Sequence, residues 1–317
     1  MTYNDCTLYK LESKKMLKYY LRIPSNSFFD QKHISTLIHP YLDIKSGKIR
    51  LVESPERELK LIQKRLKSLL QQLPVPEYVF SGIKGRSYID NAKYHIGDNY
   101  LYKIDIVAFF PNIPRESVYK FFINKLNTSS DVAEVLTNIT TVDLNLVHSP
   151  YENDIKKHFA EKGIKYNNHL GTGFPTSSIL SYHVVSDMFN LLYDLSIENG
   201  MIMTVYIDDV TFSSSNNISF AIREKIKNII KQFGYKIAPK KIKYYTRNYP
   251  KRITGVIINS QGKVDIPNSL RYKIIRTFRE LEINNNIDTR NKLRGLLVAA
   301  RQINPNAYPA IYKYLYS

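Results

Sequence analysis

Met201 to Ser214 reads MIMTVYIDDVTFSS. Apolar and β-branched residues run from Met201 to Ile207, stop at the adjacent acids Asp208 and Asp209, and resume at Val210, Thr211 and Phe212. That pattern predicts two short strands joined at an acidic tip. Adjacent carboxylates repel, and Asp is a poor strand former. The tip therefore implies a cation that offsets the repulsion, and hard oxygen ligands on a tight turn suit Mg²⁺. Asp is also a common turn former, so a plain solvated hairpin stays open at this point.

The chain around the hairpin has 317 residues, 43% of them apolar, enough for a full core in one multi-lobed unit or two to three subdomains. No apolar run approaches the roughly 18 residues of a membrane span. The first twenty residues lack the apolar stretch of a secretory signal. With Cys6 as its only cysteine the chain cannot build a disulfide framework, which fits a reducing cytoplasm. Lys and Arg number 46 against 28 acids, a net charge of +18, which points to a polyanionic partner. Abundant Lys, Asn, Ile and Tyr also fit a coding bias, but such a bias does not remove acids locally. From Lys236 to Arg252 there are seven basic residues (Lys236, Lys240, Lys241, Lys243, Arg247, Lys251, Arg252) and no acid, as on a phosphate-facing surface.

Along the chain, residues 1–40 read as one or two short helices. SGKIRLVESP (46–55) reads as a glycine turn and a short strand, with Ser54 capping and Pro55 opening a helix. Leu59, Ile62, Leu66, Leu69 and Leu70 recur at helical spacing, and Pro74 and Pro76 end that helix. Residues 81–99 form a glycine-punctuated loop and helix. YLYKIDIVAFFPNIP (100–114) reads as an apolar strand that carries Asp105 and stops at Pro111. Helices and a variable connection fill 115–165. GTGFPTSS (171–178) reads as a tight turn opening one long helix to about Glu198. Residues 218–233 make an amphipathic helix, and RITGVIIN (252–259) a strand entering a turn. From Asp265 onward the chain is helical, with Leu270, Ile274, Phe278 and Leu281 on one face and Leu293, Leu296, Leu297 and Ala300 on another.

Asp105 inside an apolar strand is costly unless it has a partner. If that strand neighbours the hairpin in one sheet, Asp105, Asp208 and Asp209 converge. Three acids and two Mg²⁺ ions make a site for in-line phosphoryl transfer. At this point the chain resembles the reverse transcriptases of bacterial retrons. The residues that carry the resemblance are the Tyr206-Ile207-Asp208-Asp209 box, the acidic strand from Asp105 to Phe110, and Arg50-Leu51-Val52 through Pro55 to Gln63. Two further elements, Asn91-Ala92-Lys93-Tyr94-His95 and Ile253-Thr254-Gly255, point to retrons in particular. The resemblance covers roughly residues 45–310.

The resemblance implies an α+β right-hand polymerase fold: an N-terminal extension and fingers over 1–98, an antiparallel-sheet palm over 99–258 with a fingers-side insertion at about 115–170, and a helical thumb over 259–317. Asp105 and Asp208 would ligate metal, with Ile106 in the same set and Asp209 in support. Arg50 would hold the incoming triphosphate. Phe110, five residues after Asp105, would exclude a ribose 2′-hydroxyl and so select dNTPs; a core phenylalanine is the plainer reading. Thr172, Gly173 and Pro175 fall in the turn that touches template base and nucleotide, where the family has Gln in place of Thr172. Lys240 and Lys241 fall where the family has a lysine able to protonate leaving pyrophosphate, although Ala238 and Ile242 replace the usual Asn and Thr. Arg252, Thr254 and Gly255 would form the primer grip beside Tyr206, and Asn91 and His95 would contact RNA, unless His95 anchors a loop. No histidine spacing suits zinc.

The expected function is an RNA-directed DNA polymerase that copies a dedicated non-coding RNA, which is template and primer, into an RNA–DNA hybrid. The family implies a role in anti-phage defence with an effector protein. With no RNase H-like segment, a host enzyme would trim the hybrid. Two alternatives stay open: another defence-associated reverse transcriptase making protein-primed or untemplated DNA, and a non-catalytic RNA-binding scaffold.

Overall fold

The computed structural model describes residues 2–45 and 48–316. The N-terminal region forms α1 (Lys14–Leu21) and α2 (Gln31–Thr36), capped by the side chains of Ser13 and Asp30. A long hairpin follows, β1 (Ile38–Lys45) and β2 (Lys48–Pro55), and then α3 (Arg57–Leu70). The turn expected at Ser46–Gly47 lies outside the described residues. Ser54 and Pro55 do not open the helix. They finish β2 opposite His39 and Ile38, and Glu56 is the cap. Proline has no N–H to give a ladder, so a strand end accommodates it as well as a helix start does. α3 buries Leu59, Ile62, Leu66 and Leu70, as their spacing predicts, with Gln63 beside them.

Next come α4 (Tyr88–Lys93), β3 (Tyr100–Asp105), α5 (Arg115–Lys120), α6 (Ser130–Thr140), β4 (Thr141–Asp143), α7 (Glu152–Lys162) and β5 (Asn168–Leu170). β3 is shorter than its apolar run predicts. It stops at Asp105, Ala108 turns the chain at φ 46°, and Phe110–Asn112 is a 3-10 turn. The single helix expected after residue 176 is two, α8 (Ser177–Val184) and α9 (Ser186–Glu198). They part at Val185, where the Ser186 hydroxyl donates back to the His183 carbonyl in competition with the helix.

The chain continues through β6 (Ile202–Tyr206), β7 (Asp209–Ser214), α10 (Phe220–Gln232), β8 (Lys243–Tyr245), β9 (Lys251–Ile253), β10 (Val256–Ile258) and β11 (Val264–Asp265). It ends in α11 (Asn268–Asn284), α12 (Ile287–Ile303) and α13 (Pro309–Tyr316). The strand expected over 252–259 is the hairpin β9–β10. Its two-residue loop, Thr254–Gly255, has φ values of 44° and 90°, the positive pair a tight hairpin requires.

The central sheet is antiparallel in the order β6-β7-β3-β8, and a smaller one runs β11-β10-β9. Tyr102, Ile104, Met203, Val205, Val210 and Phe212 from the central sheet pack with Phe189, Leu192, Ile226 and Ile230 of α9 and α10. Phe189 and Phe212 are both fully buried, and each contributes roughly 1.5–3 kcal/mol by leaving water. This core also takes in α1, α3 and α6. A second core joins Ile89, Ala92 and Leu101 to Ile253, Val256, Ile274, Leu281, Leu293 and Leu297, which ties the C-terminal helices to the sheet edge. The result is the α+β right-hand architecture: an antiparallel palm sheet, a fingers-side hairpin and a helical thumb. Among the described residues, no helix is long and apolar enough to cross a membrane.

Candidate active site

The register of β3 against β7 decides the geometry. Asp105 stands opposite Asp209, and Asp209 in turn stands opposite Tyr206 on β6. Ile207 and Asp208 are the two loop residues, with Ile207 at φ 60°. The backbone just beyond β3 fixes the tip: the Ile106 N–H donates to the Asp208 carbonyl at 3.0 Å. On the other side the Ala238 N–H donates to the Asp105 carbonyl at 2.9 Å, and the Val107 N–H to the Lys236 carbonyl at 2.8 Å. The sheet therefore brings Asp105 and the 208–209 pair to one place, a hundred residues apart in sequence.

Two lysines answer the acids. Lys241 Nζ lies 2.5 Å from Asp105 Oδ1, and Lys103 Nζ lies 2.8 Å from Asp209 Oδ2. Among the described residues, Asp208 makes no ion pair of its own, and Lys241 only partly offsets its charge from beside Asp105. Burial, then Asp105 and Asp209, push its carboxyl up to about 7. Burial also raises Asp105, against the pull of Lys241. Among the described residues, no group of three or more His, Cys, Asp or Glu side chains closes into a ready-made metal cage. The donor set nonetheless suits a hard divalent ion. It is all carboxylate oxygen, its middle member makes no ion pair of its own, and the Lys241 side chain is 52% exposed and able to swing away from Asp105.

The other expected residues fall into two groups. Arg50 is exposed on β2, opposite Asp43. Phe110 is half-buried, with its ring 6.0 Å from that of Phe109, and Phe109 fills the core against Phe189 and Tyr235. The two rings leave the backbone at the start of the 3-10 turn, Phe109 as its cap and Phe110 as its first residue. Gly173 is exposed, with φ 98°, and Thr172 and Pro175 are half-buried. Lys240, Arg252 and Gly255 are exposed, and Tyr206 is half-buried, its phenol raised by burial and by Tyr88. The Thr254 hydroxyl donates to the Tyr88 carbonyl at 2.8 Å, which ties its turn to α4.

Asn91 and His95 are not surface contacts. Asn91 is 1% exposed and its amide donates to the Thr254 hydroxyl. His95 is also 1% exposed, and its ring nitrogens bond the hydroxyls of Ser213 and Thr204, both at 2.7 Å. It is a core histidine. Lys251 is buried too, against Asp98 and the Tyr249 carbonyl, so six of the seven basic residues from 236 to 252 face solvent.

Sequence reading missed three residues. Lys103 sits two positions before Asp105 on the same strand face, a spacing that could have exposed it. Glu53 and His169 form a fully buried pair at 2.9 Å between β2 and β5, and a separation of 116 positions hid it.

The family model described as reverse transcriptase (RNA-dependent DNA polymerase) matches residues 13–258. The retron Mx65 reverse transcriptase of Myxococcus xanthus is 27% identical over 82% of this chain and 60% of its own length. The retron Ec83 reverse transcriptase of Escherichia coli is 27% identical over 81% of this chain and 79% of its own. A solved foamy viral protease-reverse transcriptase in complex with double-stranded DNA is 19% identical, with a TM-score of 0.48, over 88% of this chain and 38% of that one. The chain thus spans three-fifths of one retron relative and about four-fifths of the other. It belongs to the reverse transcriptase family, and within it to the retron type.

Proposed function

We propose that this protein is an RNA-directed DNA polymerase that extends a primer along a dedicated, structured non-coding RNA, using dNTPs. The observation that carries this reading is the register that seats Asp105 against Asp209, with Asp208 on the turn between. Asp105 and Asp208, with Ile106 beside them, would hold two Mg²⁺ ions, which would supply activation of a 3′-hydroxyl and charge neutralisation of the leaving pyrophosphate oxygen. Asp209, paired with Lys103, stiffens the tip. Lys241, released from Asp105, is placed to give a proton or a positive charge to departing pyrophosphate. Phe110 closes the ribose side of the nucleotide site, Arg50 meets the triphosphate, and Gly173 and Pro175 line the template side. Lys240, Arg252 and the Thr254–Gly255 turn grip the backbone of the primer hybrid. Residues 1–98, 99–258 and 259–317 serve as N-terminal extension with fingers, palm and thumb. In the cell this activity belongs to a cytoplasmic anti-phage retron with an effector protein as partner.

Asp208→Asn combined with Asp209→Asn tests the reading. dNTP incorporation on the copurified RNA should vanish while RNA binding persists. Equal inactivity of parent and double variant would favour a scaffold. One observation favours a second reading, untemplated or protein-primed synthesis. Thr172 stands where the family has Gln, and its hydroxyl is buried without a hydrogen-bond partner, so it offers the template no side-chain contact. Sequencing the DNA bound to the purified protein separates the two: one fixed sequence joined to RNA supports the first, a homopolymer or short repeat the second.

A further inference from the structure

Gly173 is exposed at φ 98°, so the Thr172–Gly173 turn presents backbone at the surface, and whatever fixes that backbone controls what the turn can do. Glu53 fixes it twice. Its own N–H donates to the Thr172 carbonyl at 2.7 Å, and its Oε2 accepts the Thr172 N–H at 2.6 Å. Its other oxygen, Oε1, lies 2.9 Å from His169 Nε2. The opposite ring nitrogen, Nδ1, faces the Tyr166 carbonyl at 2.8 Å. A carbonyl and a carboxylate are both acceptors, so both ring nitrogens must donate and His169 is an imidazolium. Burial alone would push that ring down; the Glu53 carboxylate, together with the Tyr166 carbonyl and Asp143, outweighs it and holds the ring above its ordinary value.

The pair has no solvent exposure, and an ion pair sealed from water is weak evidence for stability as such. Its placement gives it a different use. Glu53 lies on β2, three residues from Arg50. His169 lies on β5, is paired with Val142 of β4 and bridged to Pro114, and is followed within three residues by Thr172. A Cβ at Gly173 would stand 3.4 Å from Val52 Cγ1, so turn and hairpin are in contact. We propose that the Glu53–His169 pair is a positioning device, which locks the fingers hairpin to the 172–173 backbone and so sets the affinity for the incoming nucleotide. The proposal rests on the reading that this turn meets template base and dNTP.

The test compares the parent with His169→Leu, His169→Gln and Glu53→Gln, using poly(rA)·oligo(dT), dTTP and Mg²⁺. Hydrogen exchange of residues 168–176 is followed in the same proteins. His169→Leu should raise the KM for dTTP about tenfold, with kcat within about threefold of the parent. Glu53→Gln should move KM the same way by about threefold or more, and it keeps the test alive if the leucine variant does not fold. His169→Gln retains a donor for Glu53 but not the charge, and its KM should fall between those of the parent and His169→Leu. The Thr172 amide should exchange faster in His169→Leu. A merely structural role would reduce the active fraction, and with it kcat, at unchanged KM; that result, or unchanged protection at Thr172, overturns the proposal. A parent that incorporates dTTP neither on poly(rA)·oligo(dT) nor on its copurified RNA sinks the polymerase reading by itself, and the exchange data still decide whether the pair holds the turn.

Discussion

Replacing His95 with Gln separates the two roles open to this ring. The resemblance places it against RNA; the structure places it beneath the palm sheet, bonded to Ser213 on β7 and Thr204 on β6. Burial pushes the imidazole from an ordinary 6.5 down to about 3. A depressed histidine contributes stability above its unfolded pKa and loses it as pH falls, because the unfolded chain binds a proton that the folded chain refuses. Between pH 7 and pH 5 that linkage removes about 2 kcal/mol from the parent. His95→Gln removes the linkage. It costs about 1–2 kcal/mol at pH 7, since one amide cannot satisfy both hydroxyls as the ring does. The two stability curves should therefore converge near pH 5. The other buried histidines with depressed values, His158 and His183, titrate in both proteins and cancel in the difference. Urea denaturation followed by far-UV circular dichroism suits a chain without tryptophan. RNA affinity at pH 7 should be unchanged. Parallel curves, or a variant that loses RNA while keeping its stability, would refute the assignment.

Phe110→Val should open the ribose side of the nucleotide site and raise the kcat/KM ratio of ribonucleotide to deoxyribonucleotide by about ten- to a hundredfold, read from single-nucleotide extension. Lys103→Met leaves Asp209 beside two other acids without its own cation, Lys241 being paired with Asp105. The expected loss is about 1–3 kcal/mol in EDTA and clearly less in millimolar Mg²⁺, measured by urea denaturation; equal losses in the two buffers would deny that a cation can replace the lysine.

What the sequence made legible was local or chemical. The acidic tip is visible because two carboxylates break a β pattern, and α3, α11 and α12 are visible because their apolar spacing is helical. The rest depends on partners far along the chain. Ser54 and Pro55 satisfy the rules for a helix start and for a strand end alike, and β1 decides between them. Lys251 sits in a basic run whose other members face water; Asp98, more than a hundred residues earlier, takes it inside. His95 carries no signal of burial, because its hydroxyl partners lie on strands more than a hundred residues later. The acids could be guessed to converge, whereas the lysines that neutralise them required a register.

Non-glycine residues at positive φ are costly, about 1–3 kcal/mol each, and three of them stand among the candidate groups: Ala108, Ile207 and Thr254. Each is moored. The Ile106 N–H holds the Asp208 carbonyl next to Ile207, and Thr254 is tied to Tyr88 and Asn91. Asn112 holds the bend at Ala108, its amide donating to the carbonyls of Val107 at 3.3 Å and Ala108 at 3.1 Å. Glycine at these positions would relax the strain and free the side chains that the bends aim. The bend at Ala108 aims Phe110, so Asn112→Ala should act on selectivity before it acts on stability. Losing two weak, half-buried bonds costs about 1 kcal/mol by urea denaturation, while discrimination against ribonucleotides should fall severalfold because the phenyl ring loses its fixed position. A variant destabilised to that extent but as selective as the parent would show that the core packing of Phe109, and not the mooring by Asn112, sets where Phe110 stands.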